Sequence, residues 1–283
     1  MGKTVSYFKT TILLAGLTGL ILAISYALGG SNALIIGFVI ALVMNLGSYW
    51  FSDKIVLKMA GAKELSRSNA PELFEDTAAL AKKMKLPMPK LYMSPDVQPN
   101  AFATGRDPKH GVVCVTQGLV QGLSREEVRG VIAHELAHIK NYDILISSIA
   151  AVLAGAISSV GEIFFWTGLA GGNNDEDRGP LGAVATLVMI IIAPIAAMLI
   201  QFAISRTREY AADATAAEYT GNPKALAHAL IKIQQIATTY PMQHSAAISS
   251  LYIQNPGGLQ GIQELFSTHP LTEKRVEKLM NMK

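Results

Sequence analysis

Four stretches of this chain carry almost no charge, and charged residues crowd between them. The first runs from Thr11 to Leu28 and the second from Ala33 to Phe51, both uncharged. The third runs from Ile144 to about Leu169, interrupted by Glu162 alone, and the fourth from Leu181 to Ile204. Each approaches the ~20 apolar residues that a helix needs to cross the hydrocarbon core, so four transmembrane helices are predicted. The apolar core of the first exceeds the ~7–15 residues of a cleaved signal, and the second follows after only Gly29-Gly30-Ser31-Asn32. This pattern predicts an uncleaved helical hairpin. Glu162 stands beside Phe164, Phe165 and Trp166, which places it at an interfacial level.

Between the apolar stretches the periodicity changes. Asn69 as a cap, Pro71 in the first turn and apolar Leu73, Ala78, Leu80 and Ala81 predict a helix that stops before Pro87. Two strand-like pieces follow, Lys90–Met93 and the β-branched run Gly111–Thr116. The segment from Pro99 to Gly105 between them is extended but bounded by proline and glycine, which suits an edge strand or lip. Ser124 and Glu127 form a capping box, and Val128, Ile132, Leu136 and Ile139 make one stripe of a helix reaching about Asn141. Nothing breaks a helix between the fourth span and Asp213. Asn222-Pro223 begins another through about Ile236, and Thr272 caps a last one with Val276 and Leu279.

Half of the residues are hydrophobic and only 16% are charged, against about 25% in a soluble domain, as four spans require. Basic residues set the orientation. The N-terminus, residues 52–143 and residues 205–283 hold 23 of the 24 Lys and Arg; Arg178 in the acidic loop between spans three and four is the exception. Both termini and both polar segments are therefore expected on the cytoplasmic side. The net charge of +3 gives no reason to expect a nucleic-acid partner, and the single cysteine, Cys114, excludes an intrachain disulfide. Cys114 and methionines such as Met84, Met88 and Met93 read as core.

The chemistry lies in His134-Glu135-Leu136-Ala137-His138, an H-E-x-x-H pattern. On a helix, residues i and i+4 share a face, so His134 and His138 can offer two imidazoles to one metal. Glu135, about 100° around the helix, is placed as a base. Catalytic zinc takes three protein ligands and keeps one position open. The hairpin of spans three and four returns residues 205–213 to the side of the membrane where residues 134–143 lie. Glu209 is the candidate third ligand there, and Asp213, again at i+4, the acceptor that orients a ligand imidazole. His110, His228 and His244 have no partner motif and read as structural or surface residues.

Taken together, the two N-terminal spans, H-E-x-x-H before the third, and Ser205-Arg206-x-x-Glu209-x-x-x-Asp213 after the fourth resemble the HtpX family of bacterial inner-membrane heat-shock metalloproteases. More broadly they resemble the integral-membrane zincins that include the CAAX prenyl proteases. The resemblance covers nearly the whole chain. It implies one Zn²⁺ per chain on His134, His138 and Glu209, with Glu135 as catalytic base. Asn100-Ala101-Phe102-Ala103 is similar to the family segment that holds substrate as an added strand, and Thr268-His269-Pro270 to its late His-Pro element, with His269 a candidate transition-state donor. It further implies cleavage of misfolded or damaged membrane proteins, alongside other membrane quality-control proteases, at the bacterial inner (plasma) membrane.

The expected fold class is a mainly α membrane protein: four transmembrane helices plus a cytoplasmic α+β zincin-like catalytic domain with a small sheet. The expected units are residues 1–51, 52–143, 144–204 and 205–283. An intramembrane site-2-type protease is disfavoured because Arg125, Glu126, Glu127, Arg129 and Lys140 surround the motif. A transporter is disfavoured because spans one, two and four hold no ionisable residue. A metal-dependent scaffold or chaperone-like binder without turnover fits the same residues.

Overall fold

The computed structural model describes residues 2–155, 206–237, 248, 251–253 and 270–282. The later part of the third predicted span, the whole fourth span, Glu162, His244 and His269 lie outside the described residues.

The N-terminal hairpin consists of α1 (Thr4–Tyr26) and α2 (Gly29–Met59), both long and apolar enough to cross a membrane. The break is shorter than the four-residue linker expected: only Gly29 and Gly30 leave helical geometry. Gly30, at φ 61° and ψ −153°, occupies a region essentially reserved for glycine, which lets the chain reverse without further residues. Asn45 Nδ2 donates to Thr18 Oγ1 across the hairpin at 2.8 Å. Leu13 and Leu17 face the described start of the third span, where they pack on Leu145, Ile146 and Ile149. Ile35, Ile36 and Val43 are exposed, as a lipid-facing surface would be.

Helix α3 (Pro71–Lys83) starts with Pro71 in its first turn, but its N-cap is Ala70, without a side-chain cap. Asn69, the expected cap, instead accepts hydrogen bonds from Ser66 and Ser68. The sheet comprises β1 (Lys63–Glu64), β2 (Lys90–Ser94), β3 (Ala101–Thr104) and β4 (Val112–Thr116), in the order β1-β2-β4-β3. The pair β2–β4 is parallel, while β1–β2 and β3–β4 are antiparallel. The segment bounded by Pro99 and Gly105 thus forms the edge strand. Thr116 caps the short α4 (Gln117–Gly122), an element without periodicity to announce it.

Helix α5 (Arg125–Lys140) begins at Ser124 with both halves of the capping box formed. The chain then bends by 93° into α6 (Asp143–Gly155). Three further helices are described: α7 (Arg206–Thr220), α8 (Pro223–Ala237) and α9 (Thr272–Met280). Leu271, and not Thr272, is the N-cap of α9; Thr272 is already inside the helix.

One core joins both polar segments. Leu80, Val113, Ile132 and Leu136 meet Ala216, Leu230, Ile233 and Leu279. The close approach of α5 to α8 depends on Gly130, where a Cβ would sit 3.1 Å from the Leu226 amide nitrogen. The other face of the sheet packs Phe102, Val112 and Cys114 against the end of α2 and against Tyr252.

Candidate metal centre

The metal helix α5 is held from behind by the core, with Ile132 and Leu136 fully buried, so His134 and His138 turn toward α7. Their Nε2 atoms lie 3.1 Å apart. Glu209, in the first turn of α7, brings Oε1 to 3.5 Å from His138 Nε2 and Oε2 to 3.6 Å from His134 Nε2. Ligand atoms of these three residues lie within 4.8 Å of one another. A tetrahedral zinc at its usual bond lengths places ligand atoms about 3.3 Å apart. The donor set therefore suits zinc in type and in spacing.

The far side of each imidazole is also fixed. His134 Nδ1 is 2.9 Å from Asp213 Oδ1, and His138 Nδ1 is 3.3 Å from Asp143 Oδ2. With Nδ1 protonated and donating to a carboxylate, each ring presents the Nε2 lone pair to the shared point. Asp213 thus sits where the sequence placed an orienting acceptor. Asp143, which does the same for His138, escaped sequence reasoning because it falls at the bend into α6, outside the motif. Asp143 in turn pairs with Arg208 at 3.1 Å.

Arg275 is the second residue that sequence reasoning missed. It is fully buried, with Nε and Nη2 donating to the two oxygens of Asp213 at 2.8 and 2.7 Å and Nη1 donating to the Ile253 carbonyl at 2.7 Å. It also lies 3.7 Å from Glu209 Oε2. Nη2 is 3.5 Å from His134 Nδ1, but a nitrogen that donates to Asp213 cannot also accept from the guanidinium. A signal existed: Arg275 lies four residues before Leu279 on a helix whose apolar stripe holds Leu279, so a charge stood on the buried face.

The electrostatics follow from burial and pairing. Burial opposes the charge of Asp213, but Arg275 and His134 outweigh it and hold the carboxyl down at about 2. Burial also opposes a charge on His134, yet without a metal the Asp213 and Glu209 carboxylates raise it to about 9, so a metal at Nε2 would displace a proton from this ring. Burial pushes the Glu135 carboxyl up, and its Oε1 is buried without a hydrogen-bond partner among the described residues. Among the described residues Arg275 pairs with Asp213 and approaches Glu209, and Arg208 pairs with Asp143.

Glu135, His138 and Glu209 border a cavity of about 30 Å³ that Ala103, Leu251, Tyr252 and Ile253 also line, space for water and not for a peptide chain. Among the four residues expected to hold a substrate strand, alternation along β3 divides the roles. Asn100 faces β4, bonded to Thr116, and Phe102 stacks edge-on against Tyr252 with centroids 5.2 Å apart. Ala101 faces the outer edge, but its amide donates to Asn100 Oδ1 and its carbonyl accepts from the Ile253 amide at 2.9 Å. Ala103 also faces outward, and its amide and carbonyl have no hydrogen-bond partner there among the described residues.

Residues 67–283 match Peptidase family M48. The chain is 50% identical over 281 residues to a protein named protease HtpX homolog from Syntrophobacter fumaroxidans, covering 98% of this chain and 99% of that one. A protein of the same name from Thermococcus sibiricus is 50% identical over 276 residues, covering 96% and 94%. The crystal structure of Ste24p from S. mikatae aligns over 98% of this chain and 66% of that one, at 18% identity and a TM-score of 0.49.

Proposed function

Because this chain belongs to peptidase family M48 and is a metallopeptidase, we propose that it is a zinc endopeptidase of the plasma membrane that cleaves unfolded or damaged membrane proteins. The observation that carries this reading is the convergence of His134, His138 and Glu209 within 4.8 Å, with the unpartnered Glu135 oxygen beside them. His134, His138 and Glu209 would hold the zinc, which when bound would supply Lewis acidity toward a water molecule and a scissile carbonyl. The protein does the rest. Glu135, with its proton affinity raised by burial, removes a proton from the attacking water and delivers it to the leaving amine. Asp213 and Asp143 hold the two imidazoles in one tautomer, and Arg275 holds Asp213. His269 would donate to the developing oxyanion.

A substrate in extended conformation would pair with the outward amide and carbonyl of Ala103, as an added strand. Beyond Ala103 such a strand takes the place that Leu251–Ile253 holds beside Ala101. Pairing of this kind reads main chain, which suits loose specificity toward unfolded segments. The helices α1, α2 and α6 support substrates drawn from the bilayer, and the distribution of Lys and Arg supports a cytoplasmic site.

The test uses the full chain in detergent with an unfolded membrane protein as substrate. Glu135→Gln should lower cleavage by about 10²–10⁴-fold, the range for loss of a general base, and keep one zinc per chain. Full activity in that variant removes Glu135 from the mechanism. Zinc binding with no cleavage by the wild type at any substrate favours the scaffold reading.

A further inference from the structure

A second cleft, of about 740 Å³, shares no lining residue with the metal cavity. That size falls in the range of small-molecule sites, roughly 300–1,000 Å³. Its walls come from segments distant in sequence. Tyr7 belongs to the first turns of α1, Lys85 follows α3, Lys109 lies in the turn before β4, Lys140 and Tyr142 mark the bend from α5 to α6, and Tyr219 ends α7. Three lysines, Lys85, Lys109 and Lys140, therefore line the cleft where the first membrane helix meets the polar domain.

Their three positive charges face one carboxylate in the lining, Asp107, which leaves the cleft with a net positive charge. Lys85 and Lys109 are exposed and make no ion pair among the described residues. Lys140 bonds the Tyr219 hydroxyl and lies 4.3 Å above that ring. The one acid in the lining, Asp107, is already engaged by His110 Nδ1 at 2.8 Å and by the Lys109 and His110 amides. Lys85 (φ 58°) and Tyr142 (φ 62°) are the left-handed residues that follow the C-caps of α3 and α5, so two helix ends turn the chain at the wall of this cleft.

The level of the cleft indicates the occupant. Tyr7 lies near the start of the span Thr4–Tyr26, 6.2 Å ring to ring from Tyr142, and tyrosines prefer the headgroup region. Phe8, next in sequence, is 65% exposed and continues the apolar surface that acyl chains would cover. A basic pocket at the edge of a membrane helix suits the phosphate of an anionic lipid. We propose that this cleft binds the phosphate headgroup of an anionic phospholipid, clamped by Lys85, Lys109 and Lys140 and framed by Tyr7 and Tyr142. The lipid ties the polar domain to the bilayer at the bend that also carries Asp143.

The experiment is native mass spectrometry of the delipidated full chain, loaded with zinc and titrated with phosphatidylglycerol or phosphatidylcholine. The wild type should retain one phosphatidylglycerol at least about tenfold more tightly than phosphatidylcholine, by the differential pairing expected for lysine ammoniums and phosphate. The Lys85→Gln/Lys109→Gln variant should lose that preference with zinc content unchanged. Lys109→Gln alone, a substitution on an exposed turn, should lose part of it and serves if the double variant folds poorly. Equal retention of both lipids by the wild type, or an unaltered preference in both variants, overturns the proposal. Displacement of the lipid by millimolar inorganic phosphate overturns the lipid assignment in favour of a free-phosphate site.

Discussion

Arg275 reaches further across the metal centre than any ligand does. Its guanidinium fills both oxygens of Asp213, approaches Glu209 and holds the Ile253 carbonyl. It therefore links the orienter of His134 to the segment beside the outer edge of β3. A charge taken out of water is tolerated only when its partners match it, and here they do. Removing one member leaves the others buried and unpaired. Arg275→Met is expected to destabilise the fold by about 3–5 kcal/mol, read as a lowered thermal midpoint of the detergent-solubilised protein. A midpoint equal to that of the wild type would mean that Asp213 needs no counter-charge.

Helix α5 owes its position to features outside its motif. Ser124 and Glu127 satisfy each other's backbone amides, and Glu127 also receives Lys232 from α8 at 2.8 Å. Burial opposes the Glu127 charge, but Lys232 and Ser124 outweigh it and hold the carboxyl below the ordinary glutamate range. A carboxyl depressed on folding stabilises the fold above its unfolded pKa, about 4.3, and loses that contribution as pH falls through the folded value. Lys232 is 44% exposed, so the pair is worth at most about 1 kcal/mol. Stability of Lys232→Met, followed by denaturant melts from pH 7 downward, should start slightly lower and fall less between the ordinary and depressed values. Parallel curves for the two proteins would show that Lys232 does not set the Glu127 titration.

At the scale of the whole molecule, the metal centre is assembled from two polar segments that are separated in sequence by two membrane-length apolar stretches. Two ligands come from one segment and the third from the other, so a bound metal bridges the halves. Chelation should lower the thermal midpoint, and added zinc should restore it in a concentration-dependent way. The gain would approach about 4 kcal/mol at a thousandfold excess over the dissociation constant. Glu209→Ala should flatten that dependence, because the metal would then bind one half alone. How much of this architecture is legible in the chain depends on the range of the interaction. The two N-terminal spans, the capping box, the edge position of β3 and the spacing of His134, Glu135 and His138 follow from local periodicity and are legible in the sequence. Glu209 follows only from the expectation that the two apolar stretches before it form a hairpin, most of which lies outside the described residues. The caps fall at Ala70 and Leu271 and not at Asn69 and Thr272, because Asn69 accepts from two serines and Thr272 lies inside the helix, choices made by neighbouring contacts. Of Asp143, Arg275 and the Ile253 bond to Ala101, only Arg275 leaves a local trace, a charge on the apolar stripe of α9, and that trace does not name its partners. Each depends on which remote backbone or charge arrives beside it, and only the packing of α5, α7 and α9 around one core brings those partners within hydrogen-bond reach.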